Sequence, residues 1–331
     1  MRLRQKNALR AFGLALPAVL SLAAFAAGCT RREGAERVRT IGIIQLADNG
    51  AFTDMREGFL DRLEELGWSG DKIRVDYRNA QGDIGALNTI AQEMAAAGYD
   101  AVSTIATPAA QAFVNQESET PLFFISVTDP VSAGIMGALD SPDRNATGTS
   151  NLVPVDEIFR LADTLTPGIR VYGFLYNTGE VNAVLTVRKA KAYLDGRGIA
   201  YVEATVTNSS EVQQAAESLA GRANAIYVPI DSMVQSAMPQ VARIAREAKI
   251  PVYGSSPVMV VSGALATVST EDRLVGAVTG EMVDRYFKGA ALEEIPAAVM
   301  DQFYTVINAE TADILGLALP ASLEGAVLIG R

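Results

Sequence analysis

Short β-branched runs alternate with longer amphipathic ones from Arg39 to the end of the chain, and this alternation limits the fold more than any other feature. Thr40 to Leu46 reads as a strand, and Asp54 to Leu66 as a helix with Phe59, Leu60, Leu63 and Leu66 on one face. Ile73 to Tyr77 is a strand, and Ile84 to Ala97 a helix ended by Gly98. Strands follow at 101–105, 122–126, 171–176, 199–206, 225–228 and 251–254, with helices between them, the longest from Ser232 to Ala248. Strand–helix alternation of this kind demands parallel sheets covered on both faces.

The pattern also occurs twice. Asp100-Ala-Val-Ser-Thr-Ile-Ala-Thr107 aligns with Asn224-Ala-Ile-Tyr-Val-Pro-Ile-Asp231, Gly42-Ile-Ile-Gln45 with Gly173-Phe-Leu-Tyr176, and Pro121-Leu-Phe-Phe with Pro251-Val-Tyr-Gly. The offsets are 124, 131 and 130 residues, in one shared order. Two doubly wound lobes of one topology are expected, with the carboxyl ends of their strands facing a common crevice, where such folds bind ligands. The residues just after each strand are therefore the candidates: 47–52, 106–109, 127–129, 176–182, 229–232 and Ser255-Ser256.

Composition removes most chemistry from that crevice. There is no histidine and only one cysteine, which excludes a Ser-His-Asp triad, a Cys-His nucleophile and an ordinary zinc site. No phosphate loop, Gly-x-Ser-x-Gly or dinucleotide fingerprint is present, so neither enzyme activity, cofactor nor metal is expected. Carboxylate-only catalysis, as in a glycoside hydrolase, survives this exclusion, but no paired acids in one loop call for it.

The amino terminus adds a location. A basic start (Arg2, Arg4, Lys6, Arg10) runs into an uncharged, mostly apolar stretch that ends Ala26-Ala27-Gly28-Cys29. This is the layout of a secretory signal, with the lone cysteine where a bacterial lipoprotein is cut and acylated. Residues 1–28 are read as the signal peptide, Cys29 as the lipidation site and 29–39 as a tether, which puts the protein outside the cytoplasm on a membrane anchor. Ala26 departs from the bulky aliphatic residue usual three before the cysteine, so cleavage to a soluble exported form stays open. Past residue 28 the chain has 24 basic and 38 acidic residues, a net of −14, which argues against nucleic acid as a partner.

Asn79-Ala-Gln-Gly-Asp83, Ala106-Thr107-Pro-Ala-Ala-Gln111, Val127-Thr128-Asp129-Pro130, Asn145-Ala-Thr147-Gly148, Leu175-Tyr176-Asn177 with Glu180 and Asn182, and Pro229-Ile-Asp231 occur in this order. As a set they resemble the extracytoplasmic binding proteins of ABC importers in the tryptophan/tyrosine-binding group, over about Ile41 to Ile329. The resemblance implies a type I periplasmic-binding fold, hinge closure of two lobes on a small polar ligand, and delivery to permease subunits by a monomer. A ligand-sensing lipoprotein that presents its closed state to a membrane receptor is the alternative. Crossings near Asn151, Ser256 and Ala297 would give one lobe of 40–151 plus 257–296 and another of 152–256 plus 297–331. Helix 54–66 and the exposed helices of both lobes would carry the docking surface.

An amino-acid ligand suits the candidates physically. Its carboxylate wants hydroxyls and a helix N-terminus, offered by Thr107, Thr128 and the first turn that contains Pro108 and Ala109. Its ammonium wants carboxylates, offered by Asp231 and Glu180, and an aromatic side chain would pack on Phe52 or Tyr176. Asn49, Asp129, Asn182 and Ser255 complete the set. Competing roles stay open: Thr107 and Asp231 are good helix caps, Glu180 and Asn182 begin a helix, Asp129-Pro130 suits a turn, and Tyr176 suits a core. Phe52, in a polar loop beside Gly50, is the better aromatic candidate. Members of the group often carry a histidine–proline pair where this chain has Asn49-Gly50, and a leucine where it has Phe52, so the substrate need not be tryptophan or tyrosine.

Overall fold

Runs such as Ile41-Gly-Ile-Ile44, Leu122-Phe-Phe-Ile125 and Phe174-Leu-Tyr176 are apolar on both faces, so each must lie inside a sheet covered on both sides. The computed structural model describes residues 37–330. In its first part β1 (Arg39–Gln45), α1 (Gly50–Glu65), β2 (Ile73–Asn79), α2 (Ile84–Ala96), β3 (Ala101–Ile105), α3 (Thr107–Val114), β4 (Leu122–Val127) and β5 (Ala146–Ser150) follow one another. The second part has α4 (Val155–Leu165), β6 (Val171–Asn177), α5 (Val181–Asp195), β7 (Ala200–Val206), α6 (Val212–Ala220), β8 (Ala225–Val228), α7 (Ser232–Ser236), α8 (Met238–Glu247), β9 (Val252–Gly254), α9 (Pro257–Val261) and β10 (Ala266–Ser269). The tail is α10 (Asp272–Phe287), β11 (Ala298–Val299), β12 (Tyr304–Asn308), α11 (Ala309–Leu315) and β13 (Val327–Ile329).

The first sheet has six strands in the order β11-β5-β4-β3-β1-β2, and all its pairs are parallel. The second has seven, β13-β12-β10-β9-β8-β6-β7, with β12 antiparallel to β10. Each contains the same doubly wound core: β2-β1-β3-β4-β5 in one lobe matches β7-β6-β8-β9-β10 in the other. The repeated segments therefore occupy equivalent strands, β1 with β6, β3 with β8 and β4 with β9. In both lobes the order reverses between the first and third strands, which is where such sheets open a crevice.

Sheet membership differs from the expected crossings in two respects, one being that Ala298–Val299, expected in the second lobe, pairs with β5 in the first sheet. Ala266–Ser269 lies between β9 and β12 in the second sheet, so the chain passes back to the first lobe after Ser269 rather than near Ser256. The run Ala-Thr-Val-Ser carries little apolar signal, and its strand character comes from its neighbours. The expected long helix over 232–248 is also two helices. Ala237 ends α7, and Pro239, which lacks an N–H, sits in the first turn of α8.

Helix α10 returns across the first lobe and lies against α1 at backbone contact. A β-carbon on Gly58 would stand 2.1 Å from the Arg273 carbonyl oxygen, and one on Gly276 would stand 1.9 Å from that of Met55. Only glycine permits this approach. Phe59, Val275, Met282 and Val283 fill the seam and continue into the core under Ile43, Ile105 and Phe123. No helix among the described residues is long and apolar enough to cross a membrane. The signal segment, Cys29 and most of the tether lie outside the described residues.

Candidate functional site

The ends of β1, β3, β4 and β5 face those of β8, β9 and β10 across a narrow cavity lined by both lobes. The first lobe supplies Ala51, Phe52, Met55, Ala106 and Ser126, the second supplies Ile230, Gln235, Ser255, Ser256 and Ser269, and Asn151 and Asp272 stand at the crossings. A larger, more open space adjoins the strand ends, between Asp48, Gln81, Asp83 and Asn177, Glu180, Ser232 and Met233.

Local sequence explains how the first lobe shapes its wall. Ala106 adopts φ 72° and ψ 163° in front of α3, and Ser126 adopts φ 62° at a register shift between β4 and β5. Both are conformations that side chains avoid, and such strain gathers at ligand sites. The turn at Ala106 leaves α3 without a side-chain cap. Its first-turn N–H groups at Thr107 and Ala109 thus have no partner inside the helix, and Pro108 has none to offer. The buried Thr107 hydroxyl also lacks a partner among the described residues. An uncapped helix end beside a free hydroxyl is a place for a carboxylate.

Asn49 caps α1, its Oδ1 accepting from the Phe52 N–H at 2.9 Å, while its buried Nδ2 has no partner among the described residues. Because that cap starts the helix at Gly50, Phe52 is in a helical first turn and not in a polar loop. It is 3% exposed and belongs to the lobe core, and it also lines the cavity. Thr128 is buried behind the wall, and Asp129 closes a turn by accepting from the Ser132 N–H at 3.0 Å; neither lines the cavity. Tyr176 is in the core of the second lobe. Its hydroxyl donates to Glu203 at 2.7 Å, and burial pushes its ionisation up to about 12.

The two acids expected to meet an ammonium are engaged by their own lobe. Asp231 accepts from the Val234 N–H at 2.9 Å as the cap of α7, and from the Asn177 N–H at 2.5 Å. Glu180 accepts from the N–H of Ser232 at 3.0 Å and of Met233 at 3.4 Å, across the same helix end. Burial and then the Asp231 charge raise Glu180's ionisation, and burial raises that of Asp231. Asn182 holds the Ile230 carbonyl at 2.8 Å, and its Oδ1 is unpartnered among the described residues. Ser255 donates to the Val228 carbonyl at 3.0 Å and bonds the Tyr227 hydroxyl at 2.9 Å, with its flank on the cavity.

Sequence reasoning did not single out Ser126, Asn151, Gln235, Ser269 or Asp272. Asn151 joins two crossings: its Nδ2 donates to Ser126 Oγ at 3.3 Å, and its Oδ1 accepts from the Thr270 hydroxyl at 2.9 Å. Ser256 donates to Gln235 Oε1 at 2.7 Å. Asn151, Ser269 and Asp272 lie at the ends of β5 and β10, so the strand-end rule applied to those two strands would have found them, whereas Ser126 lies within β4 and Gln235 within α7. No group of metal-ligating side chains occurs among the described residues.

Two doubly wound lobes around a cavity at their strand ends, joined by three crossings, define the type I periplasmic-binding fold. The chain belongs to the ABC transporter substrate-binding protein family, whose model matches residues 40–326. A tyrosine-binding protein of Clostridioides difficile is 34% identical over 302 residues, 88% of each chain. An ABC domain from Streptococcus pneumoniae in complex with L-tryptophan is 31% identical with a TM-score of 0.86, covering 88% of this chain and 100% of that one. The ligand-free, open structure of a substrate-binding protein with adhesive properties from Clostridium difficile is 36% identical, with a TM-score of only 0.69 and coverage of 88% and 99%. The chain therefore superposes more closely on the L-tryptophan complex than on the more similar sequence in its ligand-free, open form.

Proposed function

We propose that this protein is the extracytoplasmic binding component of an importer for an aromatic L-amino acid, held at the membrane through Cys29 and releasing its ligand to permease subunits as the lobes reopen. The observation that carries the reading is the lining of the narrow cavity between the strand ends, drawn from both lobes. Its apolar side, Phe52, Met55 and Ile230, suits a ring, and its polar side, Ser126, Gln235, Ser256 and Ser269, suits the backbone groups of an amino acid. The uncapped start of α3 with the Thr107 hydroxyl would take the carboxylate. Binding groups on both lobes make the closed state the one a ligand stabilises. On this reading the hinge comprises Asn151, the Thr270-Glu271 step and the segment from Met300 to Phe303.

Thermal unfolding with L-tryptophan, L-tyrosine and L-phenylalanine tests it. A ligand at a hundred times its dissociation constant adds about 2.7 kcal/mol of stability. A rise with at least one of the three is expected, and a response only to sugars or nucleosides would reject the ligand class. Mass spectrometry of the membrane-extracted protein should find diacylglycerol on Cys29; a soluble product cut before Cys29 would reject the anchor.

A further inference from the structure

Three buried carboxylates lie at or behind the interlobe space, and they differ in what they already hold. Asp231 and Glu180 accept backbone N–H groups of their own lobe. Asp272, the first residue of α10, is 7% exposed and lines the cavity. No hydrogen bond or ion pair reaches its side chain among the described residues. The neighbouring cation is turned away: Arg273 pairs with Glu57 at 2.6 Å and with Asp61 on α1. The groups near Asp272 are Asp54 on α1, Glu271 on its own element and the neutral Tyr304 hydroxyl on β12. An acid in a helix's first turn is ordinary when water or an N–H attends it. A buried one with two acidic neighbours and no partner is costly, and calls for a cation.

We propose that Asp272 is the carboxylate that receives the ammonium group of the ligand, which supplies the countercharge this side chain lacks in the closed cleft. The inference rests on the amino-acid reading above and replaces Asp231 and Glu180 as ammonium partners. The ligand would then span the cavity, its carboxylate at α3 and its ammonium at the start of α10, both carried by the first lobe, while the second lobe closes over it. Burial and the charges of Asp54 and Glu271 push the Asp272 ionisation up to about 8. Near neutral pH the empty protein holds a proton there, and an arriving ammonium expels it. Binding thus releases up to one proton per ligand at pH 7, and affinity rises between pH 6 and 8.

Titration calorimetry on the full chain decides this, with the better-binding of L-tryptophan and L-tyrosine and its analogue lacking the amino group, in two buffers of different ionisation enthalpy. The wild type should prefer the amino acid and release a proton. Asp272→Asn should bind the amino acid at least ~30-fold more weakly, keep its affinity for the analogue, and release none. Its unfolding temperature without ligand at pH 7.5 should equal or exceed the wild type's, which separates a lost contact from a lost fold. Wild-type affinity that is flat from pH 6 to 8 without proton release would overturn the assignment without recourse to any variant. So would an Asp272→Asn protein that binds as the wild type does, with the amino-acid reading left standing. A wild type that binds neither amino acid removes both.

Discussion

Ala106 holds a backbone conformation, φ 72° and ψ 163°, that only glycine adopts freely. The strain has a use: it turns the chain so that β3 runs straight into α3 with the helix end uncovered. Ala106→Gly should relieve it and raise stability by about 1 kcal/mol, the gain being reduced by glycine's greater freedom when unfolded. Urea unfolding reads this directly, and a loss of stability would show that the conformation is not strained. Single residues also show where sequence reading stops. Asp231 was legible as a cap because capping is local, and Thr107 was legible as the start of a helix. Asp272 was not, since Thr-Glu-Asp-Arg looks like any solvated helix start. Its burial depends on the second lobe lying opposite, which no local pattern encodes. Phe52 was misjudged for a related reason: Gly50 suggests a loop until the Asn49 cap is seen to begin a helix there.

At the scale of elements, the seam between α1 and α10 joins segments more than 200 residues apart through Gly58 and Gly276. Gly276→Ala places a methyl 1.9 Å from the Met55 carbonyl oxygen, so the helices must separate. A destabilisation of about 3 kcal/mol or more is expected, against less than half that for Gly280→Ala, whose nearest atom is 3.0 Å away. Equal losses in denaturant unfolding would mean that the crossing is looser than described. The helices and apolar strands of this framework were readable from periodicity, often to within a residue: β3 and β8 begin and end where their apolar runs do. Strands β5 and β10 were not, because Ala-Thr-Gly-Thr-Ser and Ala-Thr-Val-Ser are strands by virtue of the sheets that flank them. Their omission moved the expected second crossing to Ser256 and left Asn151, Ser269 and Asp272 off the candidate list.

For the whole molecule, burying Glu180, Asp231 and Asp272 without cations makes the ligand-free closed form sensitive to pH. All three carboxyls have raised folded-state values, Glu180 and Asp272 up to about 8, so above the ordinary carboxylate value these groups hold more protons in the folded chain than in the unfolded one. Their contribution to stability is therefore present at acid pH and is lost as pH rises above that value, by up to about 1.4 kcal/mol per pH unit for each group. Unfolding free energies from pH 5 to 8 should decline without ligand and decline less with it; a rise across this range would show that other groups dominate. The placement of α10 and β11 has a separate consequence for biosynthesis. The first lobe is not encoded by one continuous stretch: its sheet edge and the helix that seals α1 come from the last quarter of the chain. A nascent polypeptide emerging in order can finish the second sheet's β6 to β10 before it can finish the first lobe. Fragments truncated before Asp272 would leave the apolar flank of α1 bare, a surface for chaperones or aggregation to claim.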